Sequence, residues 1–484
     1  MNRISDRMLG AGLGRVTLIT ALALSALPAA AEQLALDISG YSWSQVLRTG
    51  EMYKGAANFD NQSYANAGGM LFLNNKVNDH WTTDLSLGIW FGNTAIKKTL
   101  TDTNGAIIGR LNPNSLSLGM GGFLHEAAVS FGAGPFSMRI GKFHFVYSEY
   151  NHDFGLYLLR GPVYPGFLYS GNVDEIGALT KTGMLLSLQF PFGLKLDLLP
   201  SFETDFKPYM DLNVAGFASY KIGPVELGGG VEVQRLVETQ PCVTSPEGAA
   251  DVIKCLGGDP TGATVASDSA DLYKSAYLIV DTTGGKNDTL TYSMAGTKVM
   301  GRAALDFKKI FFEEYPGSPK DFVLYFETAL IGTTNYKFIY EHRGERMPML
   351  FGFNVPTFGF MDLVSLELEY YNSPYQNDPY KLVGAYDVFQ FSDGNSINYA
   401  MSPIPPSNKA GSPHLSKAQE DFDPKKDNLK WSVYLAKKVA DRITFKLQLA
   451  SDHWRTPNNN FVQYEAAASP GQFYTLLKVD YVLK

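Results

Sequence analysis

The feature that most limits this chain is an alternation of apolar and polar residues with a period of two. It is clearest between Leu429 and Leu449. Trp431, Val433 and Leu435 alternate with Lys430, Ser432 and Tyr434; after the polar run 437–442, Ile443, Phe445, Leu447 and Leu449 alternate with Thr444, Lys446 and Gln448. Successive side chains of a strand point to opposite faces, so period two means strand. Two such runs across a tight turn mean an antiparallel hairpin. Lys446 stands mid-strand. A strand with one apolar face and one charge-tolerant face suits a wall between lipid and water.

The unit recurs along the chain. Alternating runs fall at 33–46, 64–73, 80–91, 117–131, 136–141, 175–190, 194–198, 211–220, 225–236, 290–307, 321–331, 347–355, 362–370, 429–435, 443–449 and 473–482. That makes about sixteen strands. Tight turns such as 74–79, 132–135, 191–193 and 222–224 take turns with long loops, among them 93–114, 147–174 and 371–428. Both chain ends fall on the short-turn side. Short periplasmic turns and long extracellular loops belong to an antiparallel transmembrane β-barrel, so the expected fold class is all-β. An array of soluble β-sandwiches also alternates, but predicts mixed loop lengths and a charged outer face. An apolar piece at 273–280 finds no place in the count, and no linker divides the chain.

Hydropathy agrees. Mean hydropathy is −0.10, and past the N-terminus no run of eighteen apolar residues occurs, which argues against transmembrane helices but not against alternating strands. The first residues read as a secretory signal. Arg3, Arg7 and Arg15 precede an apolar core, Val16 to Leu27, and the small residues Ala29, Ala30 and Ala31. Cleavage near Ala31 leaves one domain, 32–484, and an exported chain bound for the outer membrane. The signal carries three Arg and Asp6, so the formal charge of −7 becomes −9 in the mature chain, an unfavourable balance for nucleic acid. The two cysteines, Cys242 and Cys255, share one polar stretch, and in an oxidising compartment they are expected to pair. Free thiols and a metal site are the alternatives. The metal reading lacks partners, because no His lies between residues 153 and 341.

Alternation, loop asymmetry and signal together resemble the bacterial outer-membrane porins, in particular general porins in strand number. The resemblance covers the mature chain and is one of architecture. Such barrels usually end in an aromatic residue, whereas Tyr481 here stands three residues before the end. The resemblance implies a passive channel for small hydrophilic solutes, outer-membrane lipid as partner, a homotrimer by analogy, and no cofactor. It also implies that the loop after the fifth strand folds into the barrel and narrows the pore. By count that loop is 147–174, where Glu149, Asp153 and Arg160 are the charges and Tyr150, Tyr157 and Tyr164 are among the aromatics. The other readings of the loop are an outer cap packed on its neighbours and a partner-binding site. Lumen candidates by register include Glu126, Arg139, Lys195, Asp197, Arg302, Glu367, Glu369 and Lys446. Inward carboxylates outnumber inward cations in this register, which leans weakly towards cations.

Catalysis finds little support. Asp452-His453 and His152-Asp153 are adjacent pairs, and adjacent strand residues point to opposite faces. The lipase elbow G-x-S-x-G is absent, as are phosphate loops and metal motifs. No catalytic residue and no metal ligand is therefore expected, and the chain reads as a non-enzyme. The alternatives to a channel are a structural or adhesive barrel and a barrel-embedded hydrolase.

Overall fold

A computed structural model describes residues 35–48, 63–101, 107–145, 168, 179–202, 204, 210–237, 276–281, 288–293, 296–334, 342–370, 429–451 and 473–483. Its strands are β1 (Ala35–Arg48), β2 (Ser63–Lys76), β3 (Trp81–Thr101), β4 (Ile107–Ala133), β5 (Phe136–Phe145), β6 (Leu179–Gln189), β7 (Leu194–Phe202), β8 (Leu212–Ile222), β9 (Val225–Val237), β10 (Ala276–Asp281), β11 (Asp288–Ser293), β12 (Gly296–Asp306), β13 (Val323–Leu330), β14 (Met349–Asn354), β15 (Leu363–Tyr370), β16 (Leu429–Ala440), β17 (Ile443–Ser451) and β18 (Phe473–Leu483). Sixteen of them close into one antiparallel barrel, each paired with its neighbour in the chain order β1–β9 and β12–β18. The seam is β1 against β18, from Gly40 opposite Leu483 to Arg48 opposite Thr475. Closure leaves the sheet no edge, so backbone N–H and C=O groups in the closed wall are satisfied between strands.

The two faces of this wall have inverted polarity. Ile38, Leu71, Leu85, Leu87, Ile140, Leu196, Leu198, Leu227, Leu324, Phe351, Leu366, Leu368 and Leu477 are exposed. On the other face Glu126, Asp197, Glu226, Glu232, Lys298, Glu327, Glu367, Lys478 and Asp480 are buried. Each square ångström of apolar surface left in water costs about 25 cal/mol, and soluble monomers rarely expose contiguous apolar patches beyond a few hundred square ångströms. A continuous apolar exterior over a charged interior is the order demanded by lipid outside. No described helix is long and apolar enough to cross a membrane.

One end of the barrel is built from short turns. Residues 134–135, 190–193, 223–224 and 441–442 are connections of this kind. Gly193 shows why glycine is needed. Its φ is +91°, and a Cβ there would lie 2.3 Å from the Lys221 carbonyl oxygen, while its own carbonyl accepts from Lys221 N at 3.0 Å. The turn 307–322 is the longest at this end and holds α1 (Lys308–Phe311), a single helical turn. Asp321 ties it to the turn 355–362. Its Oδ2 accepts from Tyr315 Oη at 3.2 Å, Thr357 Oγ1 at 2.5 Å and Thr357 N at 3.2 Å. Burial pushes the Tyr315 phenol above the ordinary tyrosine range, and the Asp321 charge adds to this, so it stays a donor. Phe307, Phe311 and Phe322 stack nearby at 5.1–6.0 Å. At a rim, such rings serve as the interfacial girdle.

All sixteen alternating runs become barrel strands, and two expectations are corrected. The loop 93–114 is mostly strand: β3 continues to Thr101 and β4 starts at Ile107, paired from Thr94 opposite Ser117 to Thr101 opposite Ile107. Period two is faint there, while the backbone still pairs. Residues 276–280 of the apolar piece and the start of 290–307 belong to a separate hairpin, β10 with β11, outside the barrel order. Residues 1–34 and both cysteines, Cys242 and Cys255, lie outside the described residues.

Four glycines face directly opposed aromatic rings. Trp43 lies over Gly68, Phe123 over Gly88, Phe217 over Gly230 and Tyr325 over Gly352, and each pair is in register across neighbouring strands. A large ring lies flat against the wall only where its neighbour has no side chain. A Cβ on Gly352 would sit 2.0 Å from Tyr325 Cζ, and Tyr325 is buried. Gly352→Val is expected to lower stability by about 1–3 kcal/mol through overpacking. Gly301→Ala, where a Cβ meets nothing within 4 Å, is expected to stay within about 0.5 kcal/mol of the parent. Urea midpoints of the purified barrels check both.

Candidate functional site

The inner wall is the candidate site, and its charges come in networks. On β3–β5, Arg139 Nη2 bonds to Asp84 Oδ2 at 3.0 Å and also to Glu126 Oε1. Glu126 Oε2 lies 3.6 Å from His144 Nδ1, and the His125 and His144 rings are 3.8 Å apart by centroid. His125 and Glu126 are neighbours in sequence, yet both are buried inside. A bulge explains this. Ser86 opposes Glu126 and Leu87 opposes Leu124, so His125 has no partner on β3 and the alternation slips by one.

Further round, Ser187 Oγ donates to Asp197 Oδ1 at 2.5 Å, and Lys195 Nζ lies 2.9 Å from Asp197 Oδ2. Arg302 bonds to Glu226, which also faces Lys221 at 3.5 Å. Glu232 pairs with Lys298 at 3.4 Å and Asp211 with Arg235 at 3.3 Å. Tyr325 Oη donates to Glu367 Oε1 at 2.6 Å and sits 3.2 Å from Ser365 Oγ. Glu369 stands opposite Lys430 in the pairing of β15 with β16. At the seam Asp480 gathers three groups: Tyr41 Oη at 2.6 Å, Lys446 Nζ at 3.0 Å and Lys478 Nζ at 3.6 Å. Lys446 and Lys478 are directly opposed across β17 and β18. Opposed like charges repel, and Asp480 between them offsets that.

The inner wall also carries an apolar cluster. Ala128, Phe143, Phe145, Leu199, Ala215, Phe217, Met300, Ala329 and Ile331 are buried together, and Leu168 belongs to the same cluster. The first nine come from β4, β5, β7, β8, β12 and β13 or the residue just after it. Leu168 comes from the segment between β5 and β6 and is 0% exposed.

Glu126, Arg139, Lys195, Asp197, Arg302, Glu367 and Lys446 lie on the inner face within the networks above, and Glu369 is buried opposite Lys430 by register. Glu149, Tyr150, Asp153, Tyr157, Arg160 and Tyr164 fall outside the described residues. His125, Lys181, Arg235 and Lys298 were missed. Bulges displace His125 and Arg235 from the simple alternation. Lys298 is in phase with Arg302 on β12, so its signal was present. Among the described residues no group of three or more His, Cys, Asp or Glu could hold a metal ion.

No protein-family model and no curated protein sequence matches the chain. Solved structures do. In strand number and closure the chain is a sixteen-stranded antiparallel barrel. A triple mutant of the Rhodopseudomonas blastica porin is 9% identical, over 93% of this chain and 100% of that one, with a TM-score of 0.42. Pseudomonas putida OprB is 8% identical, over 93% and 94%, with a TM-score of 0.43. Salmonella typhi OmpF in complex with daunomycin is 8% identical, over 93% and 97%, with a TM-score of 0.42.

The seam gives the sharpest local test. Asp480→Asn keeps the shape but removes the charge between two opposed lysines. Stability is expected to fall by roughly 1–3 kcal/mol, and added salt is expected to recover part of the loss by screening the lysines. Urea midpoints at low and high ionic strength measure both effects.

Proposed function

We propose that the protein is an outer-membrane pore through which small hydrophilic solutes diffuse passively, narrowed from within by segment 147–174. The observation that carries the narrowing is Leu168. It is fully buried in a cluster whose other members face the barrel interior. Apolar wall residues facing open water would lose the stabilisation of burial, so a segment laid against them is the economical arrangement. In this reading Glu149, Asp153 and Arg160 meet the solute at the narrowest point, while Tyr150, Tyr157 and Tyr164 pack the segment or line the passage. Sixteen strands give a barrel wide enough for an aqueous channel. The export signal and the apolar exterior support the outer membrane as its place, with outer-membrane lipid around it. A homotrimer belongs to the same reading, as does a disulfide between Cys242 and Cys255. A weak lean to cations is retained, though Lys181, Arg235 and Lys298 narrow the excess of inward carboxylates. Passive flow calls for no catalytic residue and no cofactor.

Three measurements test this. Carbonate-washed membranes should retain the protein, and release into the soluble fraction would refute membrane integration. Deleting residues 149–169 from the purified barrel should raise single-channel conductance in planar bilayers. Leu168→Asp should do the same, because a buried carboxylate in that cluster costs several kcal/mol and detaches the segment. Unchanged conductance in both variants would place the segment outside the pore. An intact barrel without conductance would favour the structural or adhesive reading.

A further inference from the structure

The turn 307–322 meets the turn 355–362 in a joint built largely from oxygen atoms. Asp321 and Asn354 form it, and both are 0% exposed. Asn354 ends β14, and Asp321 stands two residues before β13, whose first residue, Val323, pairs with Asn354 in register. Asn354 Nδ2 donates to the Lys320 carbonyl at 2.8 Å, so its amide lies against the peptide that leads into Asp321. From the other side Thr357, three residues past Asn354, donates to Asp321 Oδ2 through both N and Oγ1. These bonds fix the two side chains. Turning the Asn354 amide over would only set its oxygen against the Lys320 carbonyl, acceptor against acceptor.

Those bonds leave oxygen over. Asp321 Oδ1 and Asn354 Oδ1 are buried and lack a hydrogen-bond partner among the described residues. Both are acceptors, so the missing partner is a donor or a cation. Charge decides between them. Lys308 reaches the joint, but its ammonium bonds to Asp306 Oδ1 at 2.9 Å and to the main-chain oxygen of Asp321, and lies 5.9 Å from the centre of the Tyr315 ring. Asp306 thus cancels Lys308. Among the described residues no Lys, Arg or His forms an ion pair with the Asp321 carboxylate, whose Oδ2 is served by neutral donors. A buried carboxylate without a counter-ion is among the costliest arrangements a fold can hold. Water would complete the hydrogen bonds of both oxygens and still leave the charge uncancelled.

We propose that Asp321 and Asn354 hold a hard divalent cation, Ca²⁺ in the first place, which staples the two turns together. Ca²⁺ takes carboxylate, amide and carbonyl oxygens in flexible geometry and completes its shell with water. Here the chain supplies Asp321 Oδ1 and Asn354 Oδ1. The site uses one carboxylate, so it is not a cluster of three or more His, Cys, Asp or Glu. One charge and few protein ligands set the affinity at the weak end of calcium sites, roughly 10⁻⁴–10⁻³ M, the range of extracellular modules. Mg²⁺ demands near-ideal octahedral geometry and gives up water reluctantly, so it binds less well. The site rests on the turns alone and is independent of the pore reading.

The test uses the full-length barrel in detergent, first freed of metal with a chelator. Ca²⁺ at about 10 mM should raise its urea midpoint, and more than Mg²⁺ does at the same concentration. Tb³⁺ should luminesce when excited through Tyr315, whose hydroxyl lies 3.2 Å from Asp321 Oδ2, and Ca²⁺ should displace it. Asp321→Asn and Asn354→Leu should each weaken Ca²⁺ by about tenfold or more. Asp321→Asn also removes the uncancelled charge, so in chelator its urea midpoint should match or exceed that of the parent. That separates loss of binding from loss of folding. Asp79→Asn, which changes an exposed carboxylate at another short turn, should leave Ca²⁺ affinity as it is. Three results overturn the proposal: no stabilisation of the parent by Ca²⁺, the same stabilisation by Na⁺ at equal ionic strength, or equal Ca²⁺ affinity in the parent and in either joint variant. A loss in Asp79→Asn as large as that in Asp321→Asn would mark general surface binding and overturn it as well.

Discussion

Satisfying the backbone in a medium without water is the constraint on which the structure depends. Inside lipid every N–H and C=O needs a partner, and a sheet can meet that demand only by closing on itself. Closure here rests on the pairing of β1 with β18, reinforced by Tyr41 on Asp480 across the same joint. With the backbone settled, side chains alone decide which solvent each face meets. The exterior then follows the ordinary hydrophobic effect with lipid in place of a core.

The interior obeys different rules, because buried charge is tolerated only in company. Arg139 holds two carboxylates, Asp480 gathers two lysines and a phenol, and Glu232 is matched to Lys298. Beside these lie apolar residues that water would not favour, the Phe143 to Ile331 cluster with Leu168 among them. The wall is thus divided into polar networks and an apolar seat.

Much of this was legible in the sequence, for a physical reason. Lipid sorts side chains at every second position, so the strands announce themselves, as in Ile443 to Leu449 with Lys446 facing in. Legibility ended where that sorting ended. β3 and β4 run on through residues 93–114, where the sequence shows no clear alternation. At bulges the phase slips, so His125 joins Glu126 inside and Arg235 joins Gln234. A bulge is a backbone event fixed by neighbours such as Asn213, and neighbours across strands are not visible along a single one. The buried Leu168 was equally hidden, since its apolar seat is gathered from six strands or their ends.

The extended β3–β4 hairpin has one more consequence. β4 holds 27 residues, and at about 3.4 Å each it is roughly 90 Å long, against a hydrocarbon layer of about 30 Å. Even a steeply tilted strand of that length stands well clear of the membrane. Among the described residues its upper half pairs with β3, and the ladder to β5 begins only at Ala127. A two-stranded ribbon is the kind of surface that recruits foreign strands into aggregates unless its edges are guarded. The ribbon's sequence includes Lys97 and Lys98 in β3 and Pro113 in β4. Lysine makes a sheet edge costly to dehydrate and proline removes a donor from it, so residues of both kinds guard a ribbon against pairing with foreign strands.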